Sequence, residues 1–274
     1  FPPLWDRMAR TGKKLDKELV FKWINHRVLF RQRWGYKRGK QDAAKFLKYE
    51  EDVVEPTYQT LKAELLDKNI FEPIAIYAYY PCISWDNKIY IFDKKYLFNS
   101  LEEAKNVPPL SEAIKVLEFP RQKRKPFRCI ADFFANDRLD VIAFTLASAG
   151  LKISDYERSL YDKGEFTKYY QVHGLGVELA EALAEVLHKQ IRLDLDIVPK
   201  EGHTLNDVQM KQYVGCRYSP GYAACPDLAM NRDIFDLLNP EEFGIELSET
   251  FQMHPEQTTC AIVVTHKEAN YYNI

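Results

Sequence analysis

The stretch Ile74-Ala75-Ile76-Tyr77-Ala78-Tyr79-Tyr80, followed beyond Trp85-Asp86-Asn87-Lys88 by Ile89-Tyr90-Ile91-Phe92, decides the fold. β-Branched and aromatic residues on either side of a turn-forming tetrapeptide predict two strands joined as a hairpin. The residues before it have a different period. From Leu15 to Trp34 apolar side chains (Leu19, Trp23, Ile24, Leu29, Phe30) recur at helical intervals, and Asp42 to Lys68 repeats the pattern with Phe46, Val53, Val54, Tyr58, Leu61 and Leu65. Two amphipathic helices therefore open the domain, and sheet follows. Downstream, Phe127 to Phe134 and Val141 to Ala147 are strand candidates, while Val177 to Ile191 reads as a helix with Ala180, Leu183, Ala184 and Leu187 along one stripe. Glu246 to Gln252, Thr258 to Thr265 and Asn270 to Ile274 return to strand texture, so late strands are expected to pair with early ones across the chain. The expected class is α+β in a single domain over residues 15–274. Residues 1–14, with Pro2, Pro3 and the cations Arg7, Arg10, Lys13 and Lys14, read as a linker from a preceding domain.

The 274 residues are 46% hydrophobic and 28% charged, which is enough apolar material for a sizeable core and excludes disorder as the main state. With 38 basic against 40 acidic side chains, the net charge of −2 provides no global field for nucleic acid or anionic lipid. No run approaches the roughly 20 apolar residues of a bilayer span, and Phe1-Pro2-Pro3-Leu4-Trp5 lacks the basic and apolar regions of a secretion signal. Cys82, Cys129, Cys216, Cys225 and Cys260 are widely spaced, without C-x-x-C or zinc-ligand spacing. Reduced thiols in a cytoplasmic protein are expected, with no metal, no nucleic acid and no membrane as partner. A chain that starts on Phe rather than Met is expected to be excised from a longer one.

The densest chemistry lies in Arg217-Tyr218-Ser219-Pro220-Gly221-Tyr222-Ala223-Ala224-Cys225-Pro226. A Pro-Gly turn and small residues let main chain approach a ligand while the Arg217 guanidinium forks onto a carboxylate or phosphate. The plain alternative is a type II turn with a surface arginine. Glu178, Glu181 and Glu185 recur along one side of the long helix, where a carboxylate can face a cation at the edge of a cavity or simply be solvated. His188 fits a cation near the helix C-terminus. Tyr271 and Tyr272, as neighbours in a strand, point to opposite faces, one of them free to offer its ring to an adenine or a positive centre. The basic run Arg121, Lys123, Arg124 and Lys125 reads as a solvated loop, with docking as the alternative. His173 and Gly176 match the end of a D-x-H-x-x-G cobalamin signature whose first position is here Gln171, and no GxGxxG, P-loop, HExxH or GxSxG motif is present. No self-contained catalytic constellation is visible.

The Arg217–Pro226 segment, the helix Gly174–His188, Cys129-Ile130-Ala131-Asp132-Phe133 and the terminal Tyr271-Tyr272 together resemble the C-terminal activation domain of cobalamin-dependent methionine synthase, in the right order from about Leu15 to the end. The resemblance implies a C-shaped domain built on a central twisted antiparallel sheet flanked by helices, with S-adenosylmethionine in a shallow groove. It implies a methyltransferase module that supplies the methyl group for reductive methylation of cob(II)alamin to methylcobalamin, and no methionine synthesis by the isolated domain. Cobalamin is then bound by a partner domain of the same parent chain, and flavodoxin or a similar reductase supplies the electron. Residue by residue, it places Arg217 on the ligand carboxylate, the Ser219 main chain on the ligand, Tyr222 near the methyl donor, Tyr271 and Tyr272 along the ligand, and Glu181 near the sulfonium. Where the family carries an aspartate for the ligand's amino group, this chain carries Asn25, whose amide oxygen can still accept. Lys211 stands where some members have glutamate. The alternatives are a non-enzymatic docking module for a nucleotide-like ligand and a stand-alone activator of another corrinoid protein.

Overall fold

The computed structural model describes Pro2 and residues 5–11, 15–197 and 213–274. In chain order the elements are β1 (Met8–Thr11), α1 (Lys17–Lys22), α2 (His26–Val28), α3 (Ala43–Tyr49), α4 (Glu55–Asp67), β2 (Ile74–Trp85), β3 (Lys88–Ile91), α5 (Leu101–Ala104), β4 (Lys115–Glu118), β5 (Asp140–Ser148), α6 (Leu151–Asp162), α7 (Phe166–Asp194), β6 (Cys216–Tyr218), α8 (Met230–Leu238), β7 (Glu246–Leu247), β8 (Met253–His254) and β9 (Thr258–Val264). The main sheet runs β4-β3-β2-β5-β9-β6, with β1 also on β2, and every pairing is antiparallel. β1 and β3 occupy the same edge of β2 at its two ends, Met8 opposite Tyr77 and Cys82 opposite Ile91. The class is α+β, with the sheet curled into a half-barrel.

β2 is buried along almost its whole length because both faces of the sheet are covered, and residue parity decides which core each side chain enters. Ala75, Tyr77 and Tyr79 pack with Leu175, Leu179, Leu183 and Leu187 of α7 and with the α1–α4 layer. Ile74, Ile76, Ala78 and Tyr80 enter a second core with Ile234, Phe235 and Leu238 of α8. A one-residue slip in β2 would exchange the two sets, so the register is strongly specified.

Four expectations are corrected by the structure. The single helix expected over Leu15–Trp34 is broken: α1 ends at Trp23, and Asn25 begins α2 by accepting the Val28 N–H at 3.2 Å. The strand expected over Phe127–Phe134 is a 3-10 turn, Ile130–Phe133, because the Asp132 carboxylate accepts the Cys129 N–H at 3.0 Å and closes the turn on itself. Asn270–Ile274 is not a strand. Its carbonyls are met by side chains instead, that of Asn270 by the Tyr218 hydroxyl and that of Asn273 by the Gln122 amide, both at 2.7 Å. Within the stretch expected as linker, Met8–Thr11 forms β1 and Trp5 is buried against Phe98, an edge pairing that a four-residue segment too short for a periodic signal does not announce.

Candidate functional site

β6 is short, and its position is set by its backbone. Gly215, with φ +93°, leads into it, and any Cβ there would sit 2.5 Å from the Val264 carbonyl oxygen, so only glycine lets the chain lie this close to β9. Arg217 then pairs with Val263 and Tyr218 with Ile262. Beyond β6 the chain turns tightly: Tyr222 N–H donates to Ser219 O at 3.3 Å, Cys225 N–H to Tyr222 O at 2.9 Å, and Gly221 N–H to Cys225 O at 2.8 Å. Gly221 adopts φ +88°, the conformation that the Pro-Gly pair anticipates. The result is a compact loop with Tyr222 standing out from it, 69% exposed.

Against this loop lie the exposed flank of α7 and the C-terminal segment. The Tyr218 hydroxyl anchors the Asn270 carbonyl, and the Tyr218 ring meets those of Tyr271 and Tyr272 edge-on at 6.2 and 6.1 Å. Between loop, helix and tail runs a groove of about 430 Å³, with Thr145 of β5 and Cys260 and Ala261 of β9 in its lining. This volume is in the range of small-molecule sites. Glu181, Arg217, Ser219, Tyr222, Tyr271 and Tyr272, all singled out from sequence, line this groove together. Asn25 does not. It sits in a separate depression with Phe21, Tyr58 and Lys62, and its amide oxygen accepts from the Val28 N–H at the α2 N-terminus, so the structure does not bring it together with the other six. Lys211 lies outside the described residues.

The electrostatics centre on Arg217. Its side chain is 10% exposed, with Nη2 2.7 Å from Glu185 Oε1 and 3.9 Å from Glu181 Oε2, while Nη1, also buried, has no hydrogen-bond partner among the described residues. Burial opposes its charge, yet Glu185, Tyr271 and Glu181 hold the guanidinium above its ordinary pKa range. Glu181 is 41% exposed at the groove edge, leaving its carboxylate open to a cation. Glu178, expected on a solvated face, is buried and accepts from Arg33 Nε at 2.9 Å. His188, expected as a cation near the helix end, is instead fully buried two turns earlier. Burial, then Arg192 and Arg217, push its pKa well below the usual value, so the ring is neutral.

The cysteines are all free and buried. Burial and Asp227 push the Cys225 thiol up to about 12, and Cys225 and Cys260 spend their sulfurs on packing beside Met230 and Asn231 rather than on nucleophilic chemistry. The basic run is partly neutralised, since Arg121 forks onto both oxygens of Asp132 at 2.7 and 2.6 Å. Among the described residues no group of three or more His, Cys, Asp or Glu side chains could hold a metal ion, and no helix is long and apolar enough to cross a membrane. The sequence pattern does not assign Tyr218, Ala184, Asn273, Thr145 or Cys260 to the groove. Tyr218 lies inside the very segment that signals the site. The β5 and β9 residues have no local signal, because only the sheet order brings them there.

With this geometry in hand, the comparisons with known proteins are specific. A family model described as vitamin B12 dependent methionine synthase, activation domain, matches residues 20–274. Methionine synthase of Mycobacterium tuberculosis is 34% identical over 293 residues, covering 100% of this chain and 23% of the relative. That of Mycobacterium leprae is 33% identical over 291 residues with the same coverage. The chain thus spans 23% of the length of these curated relatives. A solved structure, the MetH reactivation domain bound to AdoHcy, superposes with a TM-score of 0.84 at 21% identity over 99% of this chain and 82% of that one, which shows a common fold. On the match over residues 20–274, the chain belongs to the activation-domain family of vitamin B12 dependent methionine synthases.

Proposed function

We propose that the groove binds S-adenosylmethionine and that this chain is the module presenting that methyl donor to a cobalamin held elsewhere in a longer cytoplasmic methionine synthase. One observation carries the reading: a largely buried arginine whose Nη1 has no partner among the described residues, a half-exposed carboxylate and four tyrosines, Tyr218, Tyr222, Tyr271 and Tyr272, converge on one groove. An amino-acid carboxylate suits the free Nη1 of Arg217 as a charge-assisted acceptor. Glu181 and the rings of Tyr222, Tyr271 and Tyr272 suit a sulfonium, a cation that carboxylate and π faces both stabilise. The Ser219–Cys225 loop brings main chain close enough to hold the rest of the ligand.

On this reading the chain positions the donor, and the cobalt of a cobalamin reduced by one electron accepts the methyl while the C–S electron pair remains on sulfur, leaving S-adenosylhomocysteine. A cobalamin-binding domain of the same parent is the docking partner, in keeping with relatives more than four times longer. Flavodoxin or a similar reductase supplies the electron. The parent's methionine synthesis needs those other domains, so the isolated chain supplies only the methyl donor. Calorimetric titration tests the binding step: S-adenosylmethionine saturates the wild-type chain, ATP does not, and Arg217→Ala loses about 1.5–3 kcal/mol of binding. No binding by the wild type at millimolar ligand, or equal binding of ATP, overturns the reading. Methylcobalamin formation upon addition of a cob(II)alamin domain and reductant then separates a methyl-donor module from a mere docking module.

A further inference from the structure

Arg217 has two carboxylates within reach and uses them unequally. Glu185, 20% exposed, takes Nη2 at 2.7 Å, whereas Glu181, 41% exposed and part of the groove lining, stands at 3.9 Å. Glu185 is absent from the lining; it holds Arg217 from behind. The guanidinium is planar, so a hydrogen bond to Nη2 also fixes where Nη1 lies, and Nη1 is the nitrogen left without a partner. The arrangement keeps two opposite charges of the groove apart. If Glu185 were uncharged, the nearest acceptor for Arg217 would be Glu181, and their union would consume both the cation and the anion that line the groove.

We propose that Glu185 is a positioning residue: its charge engages Arg217, leaving Nη1 for the carboxylate of an adenosyl amino acid and Glu181 for the ligand's cationic end. The preference for carboxylate-bearing ligands is therefore set one residue away from the ligand. The proposal rests on the S-adenosyl reading above. Its surroundings support the assignment. Glu185 acts electrostatically on Arg192 as well as on Arg217, with neutral His188 beside them, whereas Glu181 acts on Arg217 alone of the two.

The test compares two probes on the whole chain, S-adenosylhomocysteine and 5′-methylthioadenosine, which keeps the adenosyl thioether and lacks the amino-acid moiety. Glu185→Gln preserves shape and removes charge. It should weaken S-adenosylhomocysteine about tenfold or more, the scale of a charge-assisted hydrogen bond, and leave methylthioadenosine within about twofold. Glu185→Asp, which restores the charge, should recover most of the difference. Equal loss for both probes, no loss for either, or an aspartate no better than the glutamine overturns the proposal by reducing Glu185 to packing. Should methylthioadenosine bind too weakly to titrate, decarboxylated S-adenosylmethionine serves as the carboxylate-free probe, and the ratio of its affinity to that of S-adenosylmethionine decides between the same outcomes. If the wild type binds neither carboxylated ligand, the ligand reading itself has failed, an outcome distinct from normal wild-type binding that Glu185→Gln does not change.

Discussion

Two polar clusters lie along α7, and they differ in how completely they are paired. Toward the helix N-terminus, Gln257 Nε2 donates to both Glu157 oxygens at 2.9 Å, Ser154 Oγ donates to Gln257 Oε1 at 2.8 Å, and His173 Nδ1 lies 3.2 Å from Glu157 Oε2. This network ties α6, α7 and the start of β9 together and leaves its carboxylate satisfied. Toward the C-terminal half, Arg217 Nη1, Glu185 Oε2, both His188 nitrogens and the three guanidinium nitrogens of Arg192 are buried without hydrogen-bond partners among the described residues. Native interiors rarely leave polar groups unpaired, so the two clusters differ in how much hydrogen-bonding capacity they leave over. The closed cluster ties elements of the fold together; of the open one, only Arg217 lines the groove, and it is the group that the proposed ligand would meet.

The largest effect should come from opening the closed cluster. Glu157→Ala removes the acceptor shared by Gln257 and His173 and leaves a void in a buried position, so it should destabilise the chain by about 3 kcal/mol or more in urea unfolding. Affinity for S-adenosylhomocysteine, measured where the variant is folded, should stay within about twofold, because Glu157 does not line the groove. Arg217→Ala should show the reverse profile, losing about 1.5–3 kcal/mol of binding with a stability change of about 1 kcal/mol, since Glu185 is partly exposed and can be hydrated. If Glu157→Ala abolishes binding as fully as Arg217→Ala does, the division between the clusters does not hold.

The two clusters were not equally legible in the sequence. The Arg217 segment stood out, although an arginine before Pro-Gly is equally a plain surface turn and only the family resemblance placed it at a ligand, and the i, i+4 spacing put Glu181 and Glu185 on one helical face. The cation that the carboxylate at Glu185 faces turned out to be the protein's own Arg217. The fold was legible where period and length agreed: β5 and β9 fall where apolar spacing places them, while β2 runs on past Tyr80 to Trp85 and α7 contains the expected Val177–Ile191 but begins at Phe166. It was illegible where tertiary partners override local texture. Phe127–Phe134 is apolar enough for a strand, yet Phe127 adopts φ +59° and Asp132 closes the next turn, so no ladder forms. Asn25 looked like a ligand residue by position in a motif, and one hydrogen bond to Val28 N–H gives it a capping role instead. The Glu157–His173–Gln257 network joins residues up to 100 positions apart, which no local pattern encodes.

The smallest predicted effect separates the clusters by sign. In the closed cluster, the hydrogen bond to Glu157 raises the His173 pKa above 6.5 against the opposing effect of burial. Its contribution to stability is therefore fully present below the unfolded-state value and lost as pH rises through the folded-state value. In the open cluster, burial and then Arg192 and Arg217 depress His188 well below 6.5, so its contribution is present above that value and is lost as pH falls, when the unfolded chain takes up a proton that the folded one refuses. Each slope is limited to about 1.4 kcal/mol per pH unit, the free energy of one proton. Urea unfolding at a series of pH values on either side of 6.5 reads both. His173→Gln should flatten the profile above 6.5 and leave the acid limb intact. His188→Phe should flatten the acid limb, and because it replaces a ring whose two nitrogens are buried and unpartnered, it should raise stability at neutral pH by up to about 1 kcal/mol. A His188→Phe variant with an unchanged acid limb would mean that the ring is protonated in the folded chain. The open cluster would then carry one positive charge more than its geometry allows, and a ligand carboxylate would answer to His188 as well as to Arg217.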